Sequence, residues 1–351
     1  MKTSWKKLLT VVSTALLCGA LLTGCGGSGG SGGSDGSGGG MLGSKSLGPD
    51  TPKEVVAQLK LGDKDVPLYE YKGAALPEKL QGFHSNLAVT KNAIYGISFV
   101  AASKEFHLQK MNLENGAITS VEDLGNVENE PITSDGTNIY FITKKDDNIG
   151  VYDGNAVSNF SNKDAAVIRA IFGEKTAYTS GTFVSNSGIM AGTISKDGTK
   201  DMKSVLPKDE FAKLQDAKDA SAEKNSFLAC ADKDGFYITT LATHGGKDNW
   251  TEPLHMHAPD GKLVRTFEVN TDIPADAQKR KVAERQSIAT KDYVVFFGNG
   301  FLRLFNKKDG KYVGDIDLQP SGKSLSPGNV TTDDANRLYF TAFDHIYRID
   351  L

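Results

Sequence analysis

His255 and His257 stand at alternate positions of an apolar run, with His244 earlier in the same segment. Residues two apart on a strand share a face, so both imidazoles point the same way, and imidazole nitrogen is a good zinc ligand. Two histidines fall short of the ligands a zinc site needs, and the plain alternative is a pair of ordinary strand histidines. Asp232-Lys-Asp-Gly235 and Asp333-Asp334 place carboxylates close together, yet lack the ligand series of a calcium loop and read as turns. Cys230, within Phe227-Leu228-Ala229-Cys230-Ala231, has the flanks of a small buried hydrophobe rather than of a nucleophile. The chain has no Gly-x-Ser-x-Gly elbow, Walker loop, His-Glu-x-x-His or Cys-x-x-Cys. Gly298-Asn-Gly300 reads as a hairpin turn, because no helix follows it to receive a phosphate. Lys279-Arg-Lys281 is a basic spot, either a solvated face or an anchor for an anionic partner.

The elements that position these residues repeat. An apolar strand ending in Thr, Ser or Ala, then a polar turn, then an apolar-aromatic strand, recurs along the chain. The copies end at Tyr95, Tyr140, Tyr178, Tyr237, Val295 and Tyr339, at spacings of 45, 38, 59, 58 and 44. The mean is close to the length of a four-stranded propeller blade. Most copies continue through a third strand into an Asn-Gly or Asp-Gly turn, as at Asn115-Gly116, Asp197-Gly198, Asp260-Gly261 and Asp309-Gly310. Such pairs supply the positive φ angles of tight hairpins. The last copy stops after a third strand, His345 to Leu351, and Glu54 to Leu61 is the candidate that completes it. The expected fold is therefore all-β, a six-bladed β-propeller whose N-terminal strand closes the last blade and removes an exposed edge.

This body resembles the broad group of six-bladed envelope propellers, the scaffold of TolB and of YWTD and NHL repeat proteins. The resemblance is by pattern, since neither a YWTD nor an NHL string occurs. Two short helical insertions are expected, Lys208 to Lys224 and Ala275 to Arg285, on the face carrying the connections between blades. The loop from His244 to Trp250 belongs to the same face. Long loops on a rigid scaffold are where binding usually sits. The expected contact surface is His244, Asp248, Trp250, Lys279, Arg280, Lys281 and Arg285. His255 and His257 are the metal candidates.

The head of the chain gives an address. Lys2, Lys6 and Lys7 precede an uncharged stretch, Leu8 to Leu22, of secretory rather than transmembrane length. It runs into Leu22-Thr23-Gly24-Cys25, which resembles the bacterial lipobox. The resemblance implies cleavage before Cys25 and lipid on its thiol; apart from that lipid, no cofactor is expected. Gly26 rather than Asp follows, which in lipoproteins implies the outer membrane where there are two membranes, and otherwise the outer face of the single one. Residues 1–24 are then a signal peptide, 25–48 a tether and 49–351 the propeller.

Twelve of the 23 residues from Gly26 to Gly48 are glycine, so this segment is a flexible coil. After Gly24 the chain carries 37 basic against 43 acidic side chains, a weak acidity that argues against nucleic acid as a partner. Together these features predict a monomeric, envelope-anchored protein that binds a protein or envelope polymer and is not a catalyst. The alternatives are a hydrolase or lyase working at the channel mouth, or a small-ligand or metal sensor.

Overall fold

The computed structural model describes residues 53–71, 81–100, 105–113, 118–120, 132–143, 148–161, 166–182, 184–214, 223–244, 248–251, 253–322, 324–342 and 345–351. The lipobox, Cys25 and the glycine-rich segment lie outside them.

The body opens with a hairpin, β1 (Lys53–Leu61) and β2 (Lys64–Tyr71), turning at Gly62. Blade 1 comprises β3 (Gln81–Val89), β4 (Ala93–Val100), β5 (Glu105–Asn112) and β6 (Ile118–Ser120). Blade 2 is β7 (Thr133–Ser134), β8 (Ile139–Ile142), β9 (Asn148–Tyr152) and β10 (Val157–Ser161). Blade 3 is β11 (Val167–Ala170), β12 (Thr176–Ser180), β13 (Ile189–Ser195) and β14 (Gly198–Leu206), with the one-turn helix α1 (Val184–Ser187) between its middle strands. Helix α2 (Lys208–Leu214) leads to blade 4. That blade holds β15 (Glu223–Asp232), β16 (Gly235–His244), β17 (Asp248–Thr251), β18 (Leu254–His257) and β19 (Leu263–Phe267). Blade 5 is β20 (Val282–Ala289), β21 (Tyr293–Gly298), β22 (Phe301–Asn306) and β23 (Tyr312–Asp317). Blade 6 takes β24 (Val330–Thr332), β25 (Arg337–Ala342) and β26 (His345–Asp350) from the C-terminus, and β2 and β1 from the N-terminus.

The innermost strands β3, β7, β11, β15, β20 and β24 each touch the next, and β24 touches β3, so the ring is closed. Apolar side chains gather at its seams. Six buried clusters among the described residues each join two adjacent blades. Ile97 and Phe141 belong to the seam of blades 1 and 2, for example, and Leu304 and Phe340 to that of blades 5 and 6. Burying a side chain of this size contributes about 1.5–3 kcal/mol, so the seams hold the ring together.

Closure differs in register from the sequence expectation. Glu54 to Leu61 does not pair with the C-terminal strand. β2 does, with Leu68 opposite Ile349 and Tyr69 opposite Arg348, and β1 covers it as a fifth, outermost strand. Val66, Leu68 and Tyr71 are fully or almost fully buried, whereas Val55 of β1 is exposed, so the inner place goes to the strand with the larger apolar face. The insertion at Ala275 to Arg285 also differs. Ala277–Lys279 is one 3-10 turn, and from Val282 the chain is already β20.

Candidate functional site

The recurring tyrosine of the repeat is a brace. Tyr140, Tyr237 and Tyr339 begin in the second strand of their blades and donate their hydroxyls to Asp135 (2.6 Å), Asp232 (3.0 Å) and Asp333 (3.1 Å) in the preceding turn. The other oxygen of each carboxylate accepts turn amides, as Asp135 Oδ1 does from Thr137 and Asn138, and Asp333 Oδ1 from Ala335. Asp232 and Asp333 are thus turn-forming residues, as their sequence context suggested.

Two faces flank the ring, one carrying the blade-to-blade connections and the other the tight turns. On the first, β16 outruns its partner β18, which pairs only with Phe236 to Ile238. The remainder of β16 folds back on β17, with His244 opposite Asp248 and Ala242 opposite Trp250. β17 rests against β20, the strand that carries Arg285. The backbone therefore pairs the segment holding His244 with the one holding Asp248 and Trp250, and sets it against the strand that carries Arg285 and that Lys281 immediately precedes. The side chains of His244, Asp248, Trp250 and Arg285 lie outside the described residues. Lys279 and Lys281 are exposed. Arg280 instead lies over the Phe301 ring at 3.9 Å and pairs with Asp317 at 2.6 Å.

The connection bearing these lysines is fixed from beneath. Arg303 of β22 is fully buried and forms a two-pronged pair with Asp315, both contacts at 2.9 Å. Its remaining N–H groups donate to the carbonyls of Val269, Ala277 and Arg280. One guanidinium thus pins residues 269–280 to blade 5, which holds the segment as a turn where its composition favours helix.

His255 and His257 do share a face of β18, but each uses a ring nitrogen locally. His255 Nδ1 lies 3.1 Å from Thr266 Oγ1, and His257 Nδ1 lies 2.9 Å from the Gly261 carbonyl. His257 is fully buried and stacks on Phe236 with ring centres 5.1 Å apart. Burial holds both histidines below their ordinary pKa, and His257 lowers that of His255 further. No three His, Cys, Asp or Glu side chains come together as a metal-ligand set among the described residues.

At the tight-turn face the channel widens into a cavity of about 410 Å³, walled by the last residues of all six innermost strands. Sequence reasoning missed it, having looked to the longer connections of the opposite face. Lys307, almost fully buried in its wall, donates to Asp232 (3.0 Å), Asp234 (2.7 Å) and the Thr290 carbonyl (3.1 Å). Burial pulls the lysine's pKa down, but the two carboxylates outweigh it and leave the pKa raised. Asp333 faces Arg337 and Tyr339, and burial leaves its carboxyl above the usual range. Cys230 also lines the wall, its thiol pushed up to about 12 by burial and by Asp232, so it is inert as a nucleophile.

No protein-family model matches the chain, and no curated protein matches it in sequence. Solved structures do. A gluconolactonase from Xanthomonas campestris superposes with a TM-score of 0.50 at 10% identity, covering 87% of this chain and 98% of that one. The β-propeller domain of the Trilobed protease from Pyrococcus furiosus gives 0.41 at 13% identity, over 74% and 78% of the two chains. An oligogalacturonate lyase from Vibrio parahaemolyticus gives 0.42 at 9% identity, over 84% and 97%. At such identities a likeness speaks for architecture alone. The gluconolactonase match supports the overall architecture, and the six sheets closed into a ring give the chain the fold of a six-bladed β-propeller.

Proposed function

We propose that the protein is an exported lipoprotein, anchored through lipid on Cys25, whose propeller is a non-catalytic scaffold. It binds a protein or envelope polymer with the blade 4–blade 5 region of the connection-bearing face. The observation that carries this reading is the β16–β17 hairpin, which extends blade 4 beyond its sheet and rests against β20, the strand that follows the exposed Lys279 and Lys281 in the chain. The buried ionisable groups of the channel support a binding role. Lys307, Asp232 and Asp333 are bound into turn braces and ion pairs, an arrangement suited to rigidity rather than proton transfer.

Crosslinking in cells from a photoreactive residue at position 250 tests the surface. Capture of one defined partner, lost on Lys279→Glu with Lys281→Glu, is the expected result; capture unchanged by both charge reversals would refute the assignment. The address is tested separately, since Cys25→Ala should leave the membrane fraction, and its retention there would exclude lipid anchoring.

A further inference from the structure

Asn299 and Gly300 alone make the turn between β21 and β22, since Gly298 pairs with Phe301. Among the described residues Asn299 is the one asparagine followed by glycine, and it is exposed on the connection-bearing face. Gly300 has φ +75°, and Ser324 Oγ stands where a Cβ at position 300 would go, so the place is closed to any larger residue. The Gly300 carbonyl accepts from the Leu318 amide at 2.8 Å, while its own N–H has no hydrogen-bond partner among the described residues. Ser326 donates its hydroxyl to Asn299 Oδ1 at 2.8 Å.

These are the parts of an intramolecular reaction. The side-chain carbonyl carbon of an asparagine is an electrophile, and the amide nitrogen of the next residue can close a five-membered ring upon it. The covalent tie between the two groups replaces a bimolecular encounter. Where the next residue is glycine, no side chain hinders the approach. Where its N–H is unbound, no hydrogen bond has to be given up. As the ring closes, negative charge develops on Oδ1, and the Ser326 hydroxyl already lies on that oxygen. A donor fixed on a developing oxyanion lowers the barrier.

We propose that Asn299 is a site of self-catalysed deamidation, with Ser326 as its oxyanion donor. The Gly300 nitrogen bonds to Asn299 Cγ, the Cγ–Nδ2 bond breaks, and the proton lost from the Gly300 nitrogen leaves with Nδ2 as ammonia. Water then opens the succinimide at one of its two carbonyls. Opening at one gives an aspartate. Opening at the other gives an isoaspartate, in which the main chain runs through the former side chain. Either product puts a carboxylate two residues from Phe301, the ring that carries Arg280. The charge of this face thus changes with the age of the molecule, whatever partner the face meets.

The test uses the full-length protein purified in detergent and aged at mildly alkaline pH, with a synthetic peptide of residues 295–303 as reference. Peptide mapping follows the loss of the amide at position 299. Methyl transfer from S-adenosylmethionine by a protein isoaspartyl methyltransferase reads the isoaspartate. The parent chain should lose the amide, with isoaspartate among the products and a rate that rises with pH. Ser326→Ala should slow the conversion severalfold, and Ser326→Thr, which keeps the hydroxyl, should restore it. The proposal is overturned if Asn299 keeps its amide over a period in which the free peptide loses it, or if Ser326→Ala converts at the parent rate or faster. Aspartate without isoaspartate also overturns it, the mark of direct hydrolysis rather than of a cyclic imide.

Discussion

Arg169, on the innermost strand of blade 3, donates its Nε to the Ala229 carbonyl on the innermost strand of blade 4 at 3.0 Å. The same device appears at neighbouring seams. Thr133 Oγ1 of blade 2 accepts from the Ala170 amide (3.1 Å) and donates to the Ala170 carbonyl (3.3 Å) in blade 3. Cys230 of blade 4 has its sulfur beside the Ala289 backbone of blade 5. Thr133, Arg169 and Cys230 hold one repeat position, opposite Tyr140, Tyr178 and Tyr237 on the second strand. An inner strand's free edge is thus partly satisfied by a side chain from the preceding blade.

Thr133→Val keeps the shape of the side chain and removes both bonds to Ala170. The expected loss is about 1–2 kcal/mol in urea denaturation, because a backbone amide and carbonyl lose their partner. Unchanged stability would mean that these edge groups are satisfied in another way.

Arg303 is the most heavily bonded side chain described, and removing it leaves the largely covered Asp315 carboxylate with the Tyr312 hydroxyl but no cationic partner. Arg303→Met should cost about 3–5 kcal/mol. Arg303→Lys should recover little of that, since an ammonium cannot form the two-pronged pair and also reach three carbonyls. Arg303→Met combined with Asp315→Leu should be less destabilised than Arg303→Met alone. Urea midpoints of the three variants decide the matter.

His255 and His257 give the fold a pH dependence of known sign. Burial depresses their folded-state pKa below the unfolded value of about 6.5, so below that value the unfolded chain binds more protons. Their contribution is therefore complete above about pH 6.5 and is lost as pH falls toward the folded-state pKa. His257→Asn, which keeps a donor for the Gly261 carbonyl, should flatten the fall in Tm between about pH 7 and 5.5. A Tm profile parallel to that of the parent chain would show that His257 does not titrate on unfolding.

Two turn glycines should respond very differently to alanine. Gly154 (φ +97°) faces open space, so Gly154→Ala should cost only the strain of a positive φ, about 1–2 kcal/mol. Gly261 (φ +90°) lies against blade 3, where a Cβ would overlap the Val205 carbonyl oxygen. Gly261→Ala should cost at least about 3 kcal/mol. Equal effects would show that the backbone at residue 261 can move away from blade 3.

Cys230, with its thiol pushed up to about 12, should resist alkylation in the folded protein at pH 8 and react on unfolding in urea. Mass spectrometry of the labelled peptide, with Cys230→Ala as control, reads this directly. Rapid labelling in the native state would contradict the burial of the sulfur.

The blades were legible because each repeats a local chemistry that sequence displays, a strand, an Asx or Ser/Thr turn and a tyrosine. What the tyrosine does was not legible, since its bond to the carboxylate behind the turn is seen only in three dimensions. Sequence assigns the closing strand to β1 because the neighbouring β2, which contains Pro67 opposite Gln58 of β1, does not carry the plain strand pattern. Ala275 to Arg285 has helical composition, but Arg303 claims its carbonyls and β21 pairs with the segment from Val282 onward. The cavity escaped notice for a related reason. Its wall is drawn from the ends of all six innermost strands, far apart in sequence, and no periodicity shows that they converge on one space.

The pairing of β2 with β26 also sets an order of events. Leu68 and Ile349 face each other across the closing blade although nearly the whole body separates them in the chain. This pairing cannot form until β26 has been made, so the ring closes only with the whole body in place. A chain cut short before His345 would present the unpaired edge of β25 to its neighbours.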